Sequence, residues 1–169
     1  MHEVNYKNVN MKYTLILFAL LLTSYSFSEV GKISTSKSIC SKQEKKESTG
    51  ILFFKGSWQE ALDQAKLEKK IIFLDAYAAW CGPCKWMART TFMDESVGSY
   101  FNEHFINVKM DMEKDPEGPR LSKKYKLTAY PTLYFLKPNE EVVSQTMGAY
   151  KVRPLLKYAK EVMRLATTN

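Results

Sequence analysis

The sequence predicts an α/β fold in which helices cover both faces of a mixed central β-sheet. Three observations predict it. A capping box at Ser57 and Glu60 opens an amphipathic stripe that continues to about Lys70. The apolar run 71–74 follows directly and is typical of a buried central strand. The remaining pattern completes the order βαβ, helix, ββα, and its final hairpin makes the sheet mixed.

The elements follow one another in a definite order along the chain. Strands are predicted at residues 51–54, 71–74, 105–112, 132–136 and 141–147. Helices are predicted from 57 to about 70, 81 to about 93, 95 to about 101, 115 to about 125, and 151 to about 166. Asp115-Pro116 resembles an N-cap with a first-turn proline, and Pro154 is compatible only with the first turn of the last helix.

The composition is that of an ordinary globular domain with a tail. The chain has 169 residues, 45% of them hydrophobic and 25% charged, which excludes a mostly disordered protein. Three cysteines are too few for a disulfide-dense scaffold. The net charge of +7 is not accompanied by alternating basic and aromatic residues, so we expect no nucleic-acid partner.

The N-terminal region predicts export. An unbroken apolar run of eight residues, 15–22, follows Lys7 and Lys12 and precedes small residues. This pattern is typical of a secretory signal peptide, which we assign to residues 1–28; an uncleaved signal would instead be a membrane anchor. Residues 29–50 are polar and lysine-rich and are predicted to form a flexible linker before a domain at 51–169. Export would place the mature protein in an oxidising compartment, where thiols are expected to pair unless something reduces them.

The segment Trp80-Cys81-Gly82-Pro83-Cys84-Lys85 carries the chemistry. It follows a predicted buried strand and opens a predicted helix, where backbone N–H groups and the helix dipole stabilise a thiolate. A reachable Cys81 thiolate could attack a disulfide, and Cys84, one turn later, could resolve the mixed disulfide. A structural disulfide and half of a zinc site are the alternatives, although a zinc site needs two further ligands. We expect no metal and no cofactor beyond the cysteine pair.

With these residues, positions 51–166 resemble the thioredoxin superfamily, and a longer stretch around the motif is similar to exported bacterial thiol-relay domains. The resemblance to exported bacterial proteins implies a location in the periplasm. The resemblance implies that a buried Asp75 assists proton removal from Cys84, with Lys109 beside it. It also implies a cis-proline loop at Tyr130-Pro131. The residues implied to contact the substrate are Trp80, Gly82, Pro83, Tyr130, Pro131 and Gly148.

The function expected from this resemblance is thiol–disulfide oxidoreduction, with reduction of disulfides in exported proteins favoured by Gly82-Pro83. A reductant in an oxidising compartment needs a membrane thiol-electron carrier to recharge it. We expect a monomer. A disulfide oxidase or isomerase on the same fold is one alternative, and a docking module with a structural disulfide is another.

Overall fold

A computed structural model describes residues 50–168 of the chain. It contains four strands, five α-helices and one 3₁₀ turn within that part. In chain order they are α1 (Trp58–Glu68), β1 (Ile71–Tyr77), α2 (Gly82–Arg89), the 3₁₀ turn (Thr91–Met93), α3 (Glu95–His104), β2 (Phe105–Asp111), α4 (Gly118–Lys124), β3 (Thr132–Leu136), β4 (Val142–Met147) and α5 (Val152–Thr168).

The four strands form one mixed sheet in the order β2-β1-β3-β4. β1 pairs in parallel with β2 and antiparallel with β3, and β3 pairs antiparallel with β4. The parallel pair needs a long crossover, which α2 and α3 provide. The predicted mixed sheet is confirmed, and β1 lies centrally, as its apolar sequence indicates.

Alternate residues of the central strands face opposite layers of helices. One face packs against α1 and α4 through side chains such as Ile72, Leu74 and Tyr134. The other packs against α2, α3 and α5 through Phe73 and Phe135. The helices cover both faces, as predicted, because period-two alternation gives each central strand two apolar sides.

The predicted strand at 51–54 is wrong. Phe54 donates one backbone hydrogen bond to Asn107 of β2, 2.7 Å long, but Leu52 donates to the side chain of Asn102 instead of to a strand. The Asn107 side chain in turn donates to the Leu52 carbonyl. Because side chains satisfy part of this segment's backbone, it runs extended beside β2 without forming a ladder.

Three helix boundaries also differ from those predicted, and the first is the end of α3, expected at about residue 101 and found at His104. The helix expected to reach Met93 ends at Arg89 and continues only as the 3₁₀ turn. The helix expected from Asp115 begins at Gly118, because the Asp115 side chain accepts from the Glu117 amide and closes a turn of its own. Pro154 lies in the first turn of α5, as predicted.

The predicted signal peptide at 1–28 and nearly all of the predicted linker at 29–50 lie outside the described residues. Gly50, the last linker position, is buried, and its carbonyl accepts from the Asn102 side chain at 3.2 Å. Among residues 50–168, no helix has both the length and the apolar character required to cross a bilayer.

Candidate active site

The start of α2 positions the two cysteines. Cys81 is the N-cap of this helix, and Gly82 and Pro83 form its first turn, where a proline costs no hydrogen bond. Cys81 and Cys84 form a disulfide with their Cα atoms 5.4 Å apart. The Cys84 amide donates to Cys81 Sγ at 3.1 Å. The helix therefore directs a backbone donor and the positive end of its dipole at the first sulfur.

The disulfide is almost closed to solvent. Cys81 and Cys84 are each 2% exposed, which differs from the expectation of a reachable first sulfur. Tyr77 and Tyr130 pack against the two cysteines. Because both cysteines are almost closed to solvent, a partner sulfur reaches the disulfide only after local movement. The adjacent Trp80, by contrast, is 67% exposed.

A buried ion pair lies on the strand that leads to the motif. Asp75 in β1 is 1% exposed, and Lys109 in β2 faces it across the parallel pair. Lys109 Nζ lies 2.6 Å from Asp75 Oδ2, whereas Oδ1 has no hydrogen-bond partner among the described residues. Burial raises the pKa of Asp75, and the Lys109 charge and hydrogen bond only partly oppose this effect. A carboxyl whose pKa is raised in this way is a better proton acceptor than an ordinary aspartate.

Aromatic rings hold Lys109 in place. Its ammonium nitrogen lies 4.1 Å from the centroid of the Tyr77 ring and 5.7 and 5.8 Å from those of Phe92 and Phe53. Cation–π attraction therefore compensates the ammonium group for lost hydration. No hydrogen bond joins Asp75 or Lys109 to either sulfur in the part of the chain described.

The loop before β3 contacts the cysteine cluster through Tyr130 and is hydrogen-bonded to the residue that follows β4. The Tyr130–Pro131 peptide bond is cis, and the Pro131 carbonyl accepts from the Gly148 amide at 2.8 Å. Gly148 has φ of +93°, which a residue with a side chain rarely adopts. A Cβ atom there would meet nothing within 4 Å, so the backbone of Gly148 faces open space.

Two residues at this surface, Glu113 and Met147, were not predicted from the sequence. Trp80 Nε1 donates to both carboxylate oxygens of Glu113, at 2.9 and 3.1 Å, and the Trp80 ring meets Tyr130 edge-on at 5.7 Å. Met147, 61% exposed, pairs with Thr132 directly after the cis-proline. Glu113 follows β2 in a turn and no spacing rule connects it with Trp80, whereas the position of Met147 next to Gly148 was an available signal.

The structure thus places the predicted residues in three groups. Cys81 and Cys84 are bonded to each other beside Tyr130; Pro131 and Gly148 are hydrogen-bonded to each other in the neighbouring loops; Asp75 and Lys109 pair inside the sheet. Gly82 and Pro83 lie exposed at the helix start. Within residues 50–168, no group of three His, Cys, Asp or Glu residues is arranged to hold a metal ion.

A four-stranded mixed sheet with a Cys-Gly-Pro-Cys disulfide at a helix N-terminus and an adjacent cis-proline defines a thioredoxin-superfamily protein. The chain belongs, more narrowly, to the family Thioredox_DsbH, described as a protein of unknown function, DUF255, whose profile matches residues 31–163.

Named relatives support the same class. Thioredoxin H-type from Fagopyrum esculentum is 33% identical over 102 residues, covering 60% of this chain and 81% of the relative. Thioredoxin-1 from Drosophila melanogaster is 36% identical over 77 residues, covering 46% of this chain and 66% of the relative. The solution structure of a proposed disulphide-isomerase from Bacteroides thetaiotaomicron is 47% identical, with a TM-score of 0.61, covering 68% of this chain and 93% of that one. The chain is a thioredoxin-like thiol–disulfide oxidoreductase.

Proposed function

We propose that the protein reduces disulfides in exported proteins through Cys81 and Cys84. The observation that carries this proposal is the position of Cys81 Sγ at the N-cap of α2, where it accepts the Cys84 amide. In the reduced protein the same donor and the helix dipole would stabilise a Cys81 thiolate, the form that attacks disulfides.

The reaction proceeds in two exchanges. The Cys81 thiolate attacks one sulfur of the substrate disulfide, forming a mixed disulfide and releasing a substrate thiolate that takes up a proton. Cys84 then loses its proton, and its thiolate attacks Cys81 Sγ, which breaks the mixed disulfide and releases the second substrate thiolate to be protonated. The substrate gains two electrons and two protons, and the cysteine pair is oxidised to the disulfide that the structure contains.

Asp75 is the proposed acceptor of the Cys84 proton. Its burial raises its pKa, and one of its carboxylate oxygens is free of partners among the described residues. Since no direct hydrogen bond connects Asp75 to Cys84, the proton would pass through a water molecule or after a local rearrangement. Lys109 keeps the carboxyl in position and limits the rise in its pKa.

Access to the sulfurs is part of the proposal. Because Tyr130 packs against the cysteine cluster and the Trp80 ring meets that of Tyr130, a docking substrate would move these two side chains to reach the disulfide. The backbone of Gly148, which faces open space, and the exposed side chain of Met147 would receive the substrate chain at the other side of the cis-proline. We further propose that the protein acts as a monomer in the periplasm and is recharged by a membrane thiol-electron carrier.

Disulfide isomerisation is the second candidate. It is favoured by the 47% identity to the proposed disulphide-isomerase from Bacteroides thetaiotaomicron. An isomerase forms the mixed disulfide in the first exchange, and a second thiolate of the substrate then attacks and breaks it. Such an enzyme requires a less reducing cysteine pair.

The reduction potential separates these functions. The full chain would be equilibrated in graded thiol buffers and the state of Cys81 and Cys84 followed by alkylation and mass spectrometry. A potential below about −230 mV supports the reductase, and one above about −180 mV supports the isomerase or an oxidase. A disulfide that is reduced only when the domain unfolds would contradict both and indicate a structural role.

A further inference from the structure

A second surface lies along the outer side of α2, away from the cis-proline loop. Between α2 and the start of α5 there is an open groove of about 450 Å³. Its lining comprises Trp86, Thr90 and Thr91 on one side and residues 151–154 on the other. Trp86 is 38% exposed in the groove. A large aromatic side chain at an open concave surface is characteristic of recognition sites.

The floor of the groove offers few polar groups. The Thr91 hydroxyl donates to the Tyr150 carbonyl at 2.7 Å, and the Thr90 hydroxyl donates to the Trp86 carbonyl at 2.8 Å. Both hydroxyl protons are therefore used within the protein. The Trp86 ring, Val152 and Pro154 supply apolar surface beside them. The groove therefore suits an apolar side chain.

The rim of the groove is positively charged. Lys151 and Arg153 line it, and Lys85 and Arg89 form the neighbouring exposed i,i+4 row on α2. None of these four cations has an acidic partner among residues 50–168. Asp94, the acidic residue that follows the 3₁₀ turn, uses its side chain to cap α3. The N-terminus of the 17-residue α5 adds positive potential at the same place.

We propose that this groove binds an acidic segment of a protein partner that carries a central aromatic or aliphatic side chain. The central side chain would enter the groove beside Trp86, and the flanking carboxylates would pair with Lys151 and Arg153. Charge complementarity selects this occupant over others. The chain's own residues 29–50 hold more lysines than acidic residues, and a second copy has the same net charge of +7.

The groove is close enough to the cysteines to serve docking. With a rise of about 1.5 Å per residue, Trp86 lies about 7 Å along the helix axis from Cys81. A partner held there would remain next to the disulfide without covering it. The binding claim itself does not depend on the direction of electron transfer.

Fluorescence anisotropy with the full chain tests the proposal. The probe is a labelled synthetic peptide with a central Phe-Leu pair flanked on both sides by Glu and Asp. The double variant Lys151→Glu/Arg153→Glu should weaken binding by about tenfold or more, because two attractions become repulsions. The matched variant Lys55→Glu/Lys66→Glu makes the same change of charge near α1, on the other face of the sheet, and should alter binding by less than about twofold.

A variant of Trp86 and a second peptide test whether the apolar contact contributes to binding, and an activity assay serves as a control. Trp86→Ala removes a partly exposed ring, so the variant should fold normally and bind the same peptide more weakly. A second peptide, with Gly-Ser in place of Phe-Leu, should also bind the unchanged protein more weakly than the first peptide does. The Lys151→Glu/Arg153→Glu change should leave the reduction of a small aromatic disulfide unaffected. A loss of peptide binding can then be distinguished from a failure of the proposed disulfide chemistry.

Four results would overturn the proposal: no binding to the unchanged protein, equal loss in both double variants, equal affinity for the two peptides, or concentration-dependent self-association that the Lys151→Glu/Arg153→Glu change abolishes. Binding to anionic lipid vesicles without binding to the peptide would likewise assign the surface to a membrane and overturn it.

Discussion

Lys109 Nζ lies 2.6 Å from Asp75 Oδ2, yet the two side chains differ sharply in burial: 1% of the Asp75 side chain is exposed and 25% of the Lys109 side chain. The carboxylate therefore loses more hydration than the ammonium group does. This imbalance explains why the pKa of Asp75 is raised although a cation touches it. Asp75 is accordingly harder to ionise in the folded protein than in the unfolded chain, and ionising it reduces stability.

Replacing Asp75 by Asn should stabilise the fold at pH values above the raised pKa of Asp75. Below the usual pKa of 3.8, Asp75 is protonated in both the folded and unfolded states. Between that value and the raised folded pKa, the folded protein binds more protons, so stability falls as the pH rises. Asp75→Asn removes this loss and should raise the free energy of unfolding by about 1–3 kcal/mol above the raised pKa.

Urea unfolding of the oxidised protein at several pH values measures this effect. The difference between Asp75→Asn and the unchanged protein should shrink towards zero as the pH approaches 3.8. A difference that is independent of pH would show that ionisation of Asp75 is not its source.

The same substitution should slow release of the substrate. If Asp75 accepts the Cys84 proton, Asp75→Asn should reduce the rate of mixed-disulfide resolution by about 10²-fold or more at neutral pH. Formation of the mixed disulfide should change little, because Cys81 performs that step. Rapid-quench measurement of both steps in a single turnover tests the assignment, and an unchanged second rate would remove Asp75 from the reaction.

The two cysteines should behave differently when each is replaced. Cys84→Ser should accumulate a stable mixed disulfide with a substrate protein, because the resolving sulfur is missing. Cys81→Ser should form almost none, since Cys84 lies inside the first turn of α2 and lacks the N-cap position. Non-reducing electrophoresis after acid quenching measures both; equal trapping by the two variants would contradict the assigned order of attack.

Glu113 is predicted to act as a positioning residue for Trp80. Glu113→Ala removes the acceptor for Trp80 Nε1 and should raise KM for a protein disulfide by about threefold to tenfold, with kcat within about twofold. Trp80→Phe should have a similar effect, and the double variant should be no worse than either single one. Additive losses, or a fall in kcat alone, would show that Glu113 acts independently of Trp80.

Local sequence patterns predicted most of the fold. The capping box at Ser57 and Glu60 and the apolar run that begins at Ile71 gave the correct element types, because both signals arise from neighbouring residues. The segment 51–54 was misassigned because an apolar run does not indicate whether its backbone finds a partner strand. That outcome depended on Asn102 and Asn107, which lie about fifty residues further along the chain.

The sequence predicted part of the candidate site, as it predicted part of the fold. The Cys-Gly-Pro-Cys motif located the disulfide, and family resemblance located the Asp75–Lys109 pair and the cis-proline. The contact between Trp80 and Glu113 and the near closure of Cys81 arise from tertiary packing between a helix start and two loops. Neither has a sequence spacing from which it could be derived.

The pH dependence of Cys81 alkylation in the reduced protein tests the central claim most directly. If the start of α2 holds this sulfur as a thiolate that becomes accessible on reduction, the iodoacetamide reaction should reach half its maximal rate well below about pH 8.5, the value for an ordinary cysteine. Mass spectrometry would assign the modification to Cys81 rather than Cys84. A half-maximal rate at about pH 8.5 or above, or no reaction in the folded protein, would contradict the account.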